Sequence, residues 1–292
     1  MSAHPLPPPT VDAPLLAWLL DALRPMSRTA VKELLRDGRI VVNGSPVTRH
    51  DHPLRPGDRV AVSRERAGPA VGTRGGAGIV TVYADDALIA IDKPAGLLSV
   101  ATEGEREDTA FARVAASLAA RRAGRPFVVH RIDRDTSGLL LFARTPEARD
   151  RLQADWPAVT KTYLAITDGC PDPPEGVIES YLSEGRDLKV RSSPAPRAGA
   201  RHAVTRYRLV GGNGVRFKLV EAGLETGRKH QIRVHLAKIG CPVAGDDMYG
   251  AKGDPAGRLA LHAWRLALAH PVTGERLELE SPLPEKLRRV VG

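Results

Sequence analysis

The run His130 Arg131 Ile132 Asp133 Arg134 Asp135 Thr136 Ser137 Gly138 sets two arginines, two carboxylates and a histidine directly ahead of an apolar stretch at residues 139–143. A charged loop thus feeds a strand covered on both faces, with Gly138 as its flexible start. The charges therefore sit at a rigid strand end. If residues 130–133 are extended, side chains alternate, so Arg131 and Asp133 face one side while His130 and Ile132 face the other. An arbitrary charged loop of this kind is a solvated turn with a surface ion pair, so the remaining segments decide. Two stand out: Lys161 Thr162 Tyr163, and the basic run from Thr226 to His235 with Arg228 and Arg233.

The order His-Arg-Ile-Asp-x-x-Thr-Ser-Gly followed by apolar residues resembles the catalytic motif of the RluA-type pseudouridine synthases. Further blocks match in that family's order: Asp92 Lys93 Pro94 Ala95 Gly96, Lys161 Thr162 Tyr163, and Thr226 Gly227 Arg228 Lys229 His230 Gln231 Ile232 Arg233 Val234 His235. Gly245 Asp246, Tyr249 Gly250, Leu261 His262 Ala263 and His270 Pro271 continue it. The resemblance spans about residue 79 to the C-terminus. It implies an isomerase that breaks the uridine N-glycosidic bond and rejoins the sugar carbon to C5 of the same base. That reaction calls for a nucleophilic carboxylate, a pocket that retains the detached uracil, and flipping of the nucleotide from its stack. It implies no cofactor and no metal.

By this resemblance Asp133 is the nucleophile, attacking at the sugar C1′ or at C6 of the base. A carboxylate in a partly dry pocket needs a positive neighbour, and an arginine lowers such a pKa by roughly 1 to 3 units. Helical spacing over about residues 229–239 puts Ile232, Leu236 and Ile239 on one apolar face with Arg233 beside it, and Gly240 ends the helix. The family pairs Arg233 with Asp133; contact with backbone phosphate is the alternative for Arg233 and the preferred role for Arg228. Strand alternation turns the Tyr163 ring toward the cleft, where it stacks on the base and is placed for proton transfer at C5. Arg131 enters the gap left by the flipped nucleotide, Ile232 forms an apolar pocket floor, and Lys161 joins Arg228 as a substrate ligand.

His130 reads as architectural, because it points away from Asp133. Lys93 Pro94 Ala95 Gly96 reads as a structural turn with an RNA contact, and Leu261 His262 Ala263 as core support. His230 and His235, five apart, do not share a helix face, so no metal pair is expected. Residues 97–104 differ from the histidine-containing version common among large-subunit ribosomal RNA enzymes, so their substrate is not inherited. Lys229 replaces a threonine frequent in the family, and residues 183–201 form a basic insertion matching no motif.

The elements positioning these groups are legible as a mixed fold. Helices are predicted over 109–121 and 146–156, strands over 161–167, 204–210, 217–224 and 277–279. The fold class is α+β, a largely antiparallel sheet with peripheral helices, and the family resemblance implies that this mixed sheet is twisted and carries a central catalytic cleft. Ahead of it, residues 14–66 predict a helix pair and short strands, with Ser27 as N-cap of the second helix and a turn at Asn43 Gly44. This segment resembles the small RNA-binding domain named after ribosomal protein S-four. Arg28, Lys32 and Arg36 recur every four residues as a basic stripe, which Arg39 extends, and these four are expected to grip phosphates. Residues 1–13 read as a disordered proline-rich tail, 67–78 as a linker, and 79–292 as the catalytic domain.

Bulk properties agree. In 292 residues, 43 Lys and Arg stand against 34 Asp and Glu, a net charge of +9 that points to an anionic partner. The resemblance makes that partner RNA, with ribosomal RNA expected over transfer RNA; no obligatory protein partner is evident. Two cysteines, Cys170 and Cys241, lack metal-ligand spacing and fit a reducing cytoplasm. No apolar run reaches membrane-spanning length and no export signal is evident. Gly223 to Lys229 has the wrong spacing for a P-loop. Asp133 and Asp135 could imitate a glycosidase pair, but aromatics at 4% make a sugar-stacking cleft a poor fit. The alternative from another class is a non-catalytic RNA-binding or ribosome-assembly factor, against which the intact aspartate, arginine and tyrosine set argues.

Overall fold

The computed structural model describes residues 3–36, 39–43, 45–47, 52–63, 73–74, 79–102, 108–212 and 216–292. The chain divides into two compact units, residues 1–73 with 82–84, and residues 74–81 with 85–292.

In the first unit, α1 (Leu15–Ala22) and α2 (Arg28–Arg36) lie beside a small sheet. Ser27 Oγ accepts from the Ala30 amide at 3.2 Å, capping α2 as its sequence predicts. The apolar stripe Val31, Leu34, Leu35 is buried with Leu15, Leu19, Ile40 and Val60. Arg28 and Lys32 are exposed on the opposite side; Arg36 closes the helix, with its side chain outside the described residues. Arg39 is half-buried, and its Nε donates to the Ser63 carbonyl at 3.0 Å. The proline-rich start is not a bare tail. Ala3–Pro5 pairs antiparallel with Val60–Ser63, and the Leu6 amide donates to Val60. A proline lacks a donor but is tolerated on an edge strand, and this edge position accommodates Pro5. Of the expected linker, only Thr73–Arg74 are described, as a short strand.

The longer strands of the second unit are β1 (Leu88–Lys93), β2 (Ser137–Ala143), β3 (Thr160–Asp168), β4 (Glu175–Glu184), β5 (Val190–Ser193), β6 (Arg201–Gly211), β7 (Phe217–Leu224), β8 (Leu261–Ala269) and β9 (Arg276–Glu280), with Phe127–Val128 as a short strand beside β2. Their spatial order is β5-β4-β6-β7-β3-β8-β2-β1, with β9 beside β8. β2 joins β8 in parallel at Ser137↔His262 and Gly138↔Ala263, whereas β1–β2, β3–β7, β3–β8 and β6–β7 are antiparallel. The basic insertion, residues 183–201, supplies the end of β4, the turn into β5, β5 itself and the connection to β6.

β2 is buried along its whole length, which explains its unbroken apolar run. Helix α3 (Ala110–Ala120) packs Val114 and Leu118 on Ile89, Ile91, Leu140 and Phe142. Helix α5 (Gln231–Lys238) packs Ile232 and Leu236 on Ala165, Ile166, Val220 and Leu261. Each fully buried side chain of this kind stabilises by about 1.5 to 3 kcal/mol. Helix α4 (Pro146–Asp155) starts as predicted, with Thr145 Oγ1 accepting from the Ala148 amide. No described helix is long and apolar enough to cross a membrane.

Candidate active site

The loop carrying Asp133 is braced from two sides. Ser99 Oγ donates to the Ile132 carbonyl at 2.6 Å and accepts from its amide at 3.1 Å. The Lys93 ammonium, fully buried, donates to the carbonyls of Pro94, Leu97 and Arg134 at 2.7–2.9 Å. Burial pushes Lys93 down to about 7, while the charge of Asp135 opposes that fall. The RNA contact expected for this segment therefore does not fall to Lys93, whose three donors are spent on loop carbonyls. On the far side, His130 Nε2 accepts from the Leu141 amide at 2.9 Å and its ring stacks on Trp156. Burial, then the charge of Lys161, depresses its pKa to about 3, so it is a neutral brace, as its alternation with Asp133 implied.

Gly138 fixes where the loop meets the sheet. Its φ is +106°, and an added Cβ would lie 2.2 Å from the Ala263 carbonyl oxygen. Beside it, Ser137 Oγ bonds His262 Nδ1 at 2.9 Å, and His262 Nε2 meets the Ser281 carbonyl. His262 thus supports the core rather than the chemistry.

Asp133 opens onto a cleft of about 450 Å³ lined by Arg131, Tyr163, Arg228, His230, Ile232 and Arg233, among others. Its side chain is 28% exposed, against 10% for Arg233. Arg233 NH1 lies 3.8 Å from Asp133 Oδ2. The stronger partner of Arg233 is Asp246: Nε and NH2 donate to its two oxygens at 2.7 and 2.8 Å. Burial opposes the charge on Arg233, but the Asp246 hydrogen bonds and the charges of Asp246 and Asp133 outweigh it and raise its pKa. Asp246 holds the guanidinium, and the guanidinium in turn presents NH1 to Asp133.

Tyr163 lines the cleft from β3, which keeps an unbroken register with β7. Against β8 the register shifts opposite Thr162 and Tyr163, where β8 carries Trp264 as the extra residue. Burial, reinforced by the charge of Asp133, raises the phenol pKa, keeping its hydroxyl protonated. Lys161 corrects the expectation of a substrate ligand. It is buried, its Nζ donates to the Trp156 carbonyl at 3.0 Å, and it does not line the cleft. By strand alternation it leaves β3 on the same side as Tyr163, but its long side chain ends at the Trp156 carbonyl and ring instead of in the cleft. Arg228 lines the cleft with its Nε tied to the His202 carbonyl at 3.0 Å. Arg131 is exposed at the cleft and Ile232 is buried in its wall.

Asp133, Tyr163 and Arg233 therefore converge from a loop, a strand and a helix that are remote in sequence. A family model described as RNA pseudouridylate synthase matches residues 87–238, just over half of the chain. The chain belongs to that family. A second model, the S4 domain, matches residues 15–60. Pseudouridine synthases similar to it include YlyB of Bacillus subtilis (strain 168), named an uncharacterized RNA pseudouridine synthase. It is 36% identical over 273 residues, covering 91% of this chain and 88% of that protein. One from Synechocystis (strain PCC 6803), named likewise, is 32% identical over 97% of this chain and 89% of its own length. The solved human RNA Pseudouridylate Synthase Domain Containing 4 superposes with a TM-score of 0.59 at 26% identity, over 71% of this chain and 92% of that one. This pseudouridine synthase thus joins an isomerase domain to an RNA-binding S4 domain.

Three groups at the site were missed from sequence: Asp246, Tyr249 and His230. Asp246 and Tyr249 stood only as matched letters, and His230 was weighed only as a metal ligand. One signal was present. An arginine within a helix flanked by Ile232, Val234 and Leu236 must be buried, and a buried arginine requires a carboxylate.

Proposed function

We propose that this protein isomerises specific uridines in structured RNA, with Asp133 as the nucleophile, and that ribosomal RNA is its substrate in preference to transfer RNA. The observation that carries the reading is the carboxylate of Asp133, partly exposed in the cleft with a guanidinium 3.8 Å away. A nucleotide entering the cleft can meet a carboxylate oxygen there, as a nucleophile requires. Tyr163 offers a flat face for the base, Ile232 an apolar wall, and Arg131 a cation at the rim to occupy the space left by a flipped nucleotide. Arg228 and the exposed Arg28 and Lys32 meet phosphate and add affinity without reading sequence. The appended basic domain supports a large folded substrate, hence ribosomal RNA.

Mapping of pseudouridine in total RNA, from cells with the gene, without it, and with Asp133→Asn, tests this reading. One or a few sites in ribosomal RNA should vanish on deletion and stay absent with the variant. Restoration by Asp133→Asn would remove Asp133 from the nucleophile role, and missing sites confined to transfer RNA would overturn the substrate assignment. Deleting residues 1–66 should weaken action on ribosomal RNA fragments; unchanged activity would defeat the role given to the N-terminal domain.

A further inference from the structure

His230 occupies an unusual place. It sits immediately ahead of α5 with φ +55°, left-handed backbone that a non-glycine residue adopts only where its surroundings hold it there. Its side chain is 11% exposed, and Nε2 lies 4.0 Å from Asp133 Oδ2. On its other edge, Nδ1 is 2.8 Å from the Tyr249 hydroxyl, which also accepts from the Val190 amide at 3.0 Å. Gln231 fixes the start of the helix, with Oε1 accepting from Thr226 Oγ1 and the Arg228 amide, and Nε2 donating to the Val204 carbonyl.

One placement of the protons satisfies every donor and acceptor in this chain. A neutral imidazole has one N–H and one bare nitrogen. Were the proton on Nδ1, the bare Nε2 lone pair would face the Asp133 carboxylate. With the Tyr249 O–H donating to Nδ1, the proton sits on Nε2 and points at Asp133. The Tyr249 oxygen then keeps a lone pair for Val190, so every group in the chain has a partner. Burial, reinforced by the charges of Arg233 and Lys229, lowers the His230 pKa against the opposing pull of Asp133, consistent with a neutral ring.

We propose that His230 and Tyr249 are positioning residues for the nucleophile: Tyr249 fixes the Nε2–H tautomer of His230, and that N–H together with Arg233 NH1 holds Oδ2 of Asp133, leaving Oδ1 to attack. The inference rests on the reading of Asp133 as nucleophile. Both neighbours approach the same carboxylate oxygen, at 4.0 and 3.8 Å. The terminal torsion of an aspartate is broad and nearly two-fold, so a free carboxylate would present either oxygen in many orientations. Separations of this size contract when substrate closes the site. The chain also reaches the β4–β5 hairpin, because Val190 opens β5 and Lys229, next to His230, pairs with Glu184 at the end of β4. RNA seated on that hairpin would therefore act on the orientation of Asp133.

The test uses the full chain and a transcript spanning the uridine found by the mapping above. Tyr249→Phe and His230→Asn should each slow single-turnover isomerisation by about 10- to 100-fold, the scale of a misplaced reacting group, with RNA affinity within about threefold of wild type. Asparagine tolerates the left-handed backbone, so this loss would not reflect misfolding. The amide nitrogen of His230→Gln falls where Nε2 was, and this variant should recover part of the rate lost in His230→Asn. Independently of activity, imidazole 15N spectra at pH 7 should show His230 as the neutral Nε2–H tautomer, with that preference lost in Tyr249→Phe. Wild-type rates in Tyr249→Phe or His230→Asn, or an Nδ1–H or charged His230, would overturn the proposal. Full activity in Asp133→Asn would instead overturn the nucleophile assignment, and the tautomer spectrum would still report on the pair itself.

Discussion

Arg233 and Asp246 form a two-point ion pair in which Asp246 is wholly buried and Arg233 is 10% exposed, and this pair aims the remaining guanidinium nitrogen at Asp133. The positive charge beside the carboxylate is therefore fixed by a residue outside the cleft lining. A lysine in place of Arg233 would keep the charge but could not grip both oxygens of Asp246 while pointing elsewhere.

Breaking this pair from its hidden side should be severe. Asp246→Ala leaves a guanidinium without its partner, and a loss of about 3 kcal/mol in unfolding free energy is expected. Arg233→Lys should retain more stability yet lose at least about 10-fold in single-turnover rate. Urea denaturation and rate measurements on the two variants check this; equal, small effects on both would remove Asp246 from its holding role.

Gly138→Ala should destabilise by at least about 3 kcal/mol, because the new methyl meets backbone rather than a movable side chain at a φ that alanine resists. Gly227, with no atom within 4 Å of an added Cβ, is the control, and Gly227→Ala should fold normally. Thermal melts of both variants decide; a Gly138→Ala protein as stable as the control would contradict the close approach.

Acid should loosen the fold in a defined window. His130 and His235 are held neutral, with pKa values of about 3 and about 4 against 6.5 for the free side chain, and burial is the first cause in both. The unfolded chain takes up these protons first, so stability is full above pH 6.5 and falls as pH drops below it, continuing down toward the folded values. By pH 5 each histidine should remove about 2 kcal/mol. Denaturation midpoints from pH 7.5 to 5 measure this; replacing His235, which bonds Ser180 and Thr205, should flatten the slope.

The phenol of Tyr163 should never ionise in the working range, since burial and then the Asp133 charge raise its pKa. Tyr163→Phe and wild type should then show the same rate profile between pH 8 and 10, whereas Tyr163→Leu loses a stacking face worth roughly 1 to 3 kcal/mol of RNA affinity. An alkaline limb that disappears in Tyr163→Phe would show that the hydroxyl titrates.

Reversing charge on α2, through Arg28→Glu with Lys32→Glu, should weaken RNA binding evenly across sequences. The slope of log K against log salt should become shallower by roughly 0.7 to 0.9 per lost phosphate contact. Binding measured at several salt concentrations distinguishes this from unfolding, because both side chains are exposed and leave the apolar face of α2 intact.

Much of this was legible in the residues. β2, α4 with its Thr145 cap, and α2 with Ser27 follow from local rules of burial, capping and period: α4 ends one residue short of its expected bound, β2 starts two residues ahead of its apolar run, and α2 starts directly after Ser27. The convergence of Asp133, Tyr163 and Arg233 came from motif order, which carries no distances. Lys161 misled because alternation fixes the side on which a residue leaves the strand and not where a long flexible side chain ends, here at the Trp156 carbonyl. Asp246 and Tyr249 escaped for a related reason. Their meaning lies in partners such as Arg233 and Val190, and pairing across a fold is decided by tertiary packing rather than by neighbours in the chain.

The parallel seam between β2 and β8 carries a consequence for biosynthesis. Ser137 and His262 are 125 positions apart, so the strand that supports the Asp133 loop gains this neighbour only after most of the polypeptide has left the ribosome. Closing so long a loop before any contact rewards it makes this a late, slow event. A nascent chain therefore passes through translation chemically silent, close to the very class of RNA it is proposed to modify.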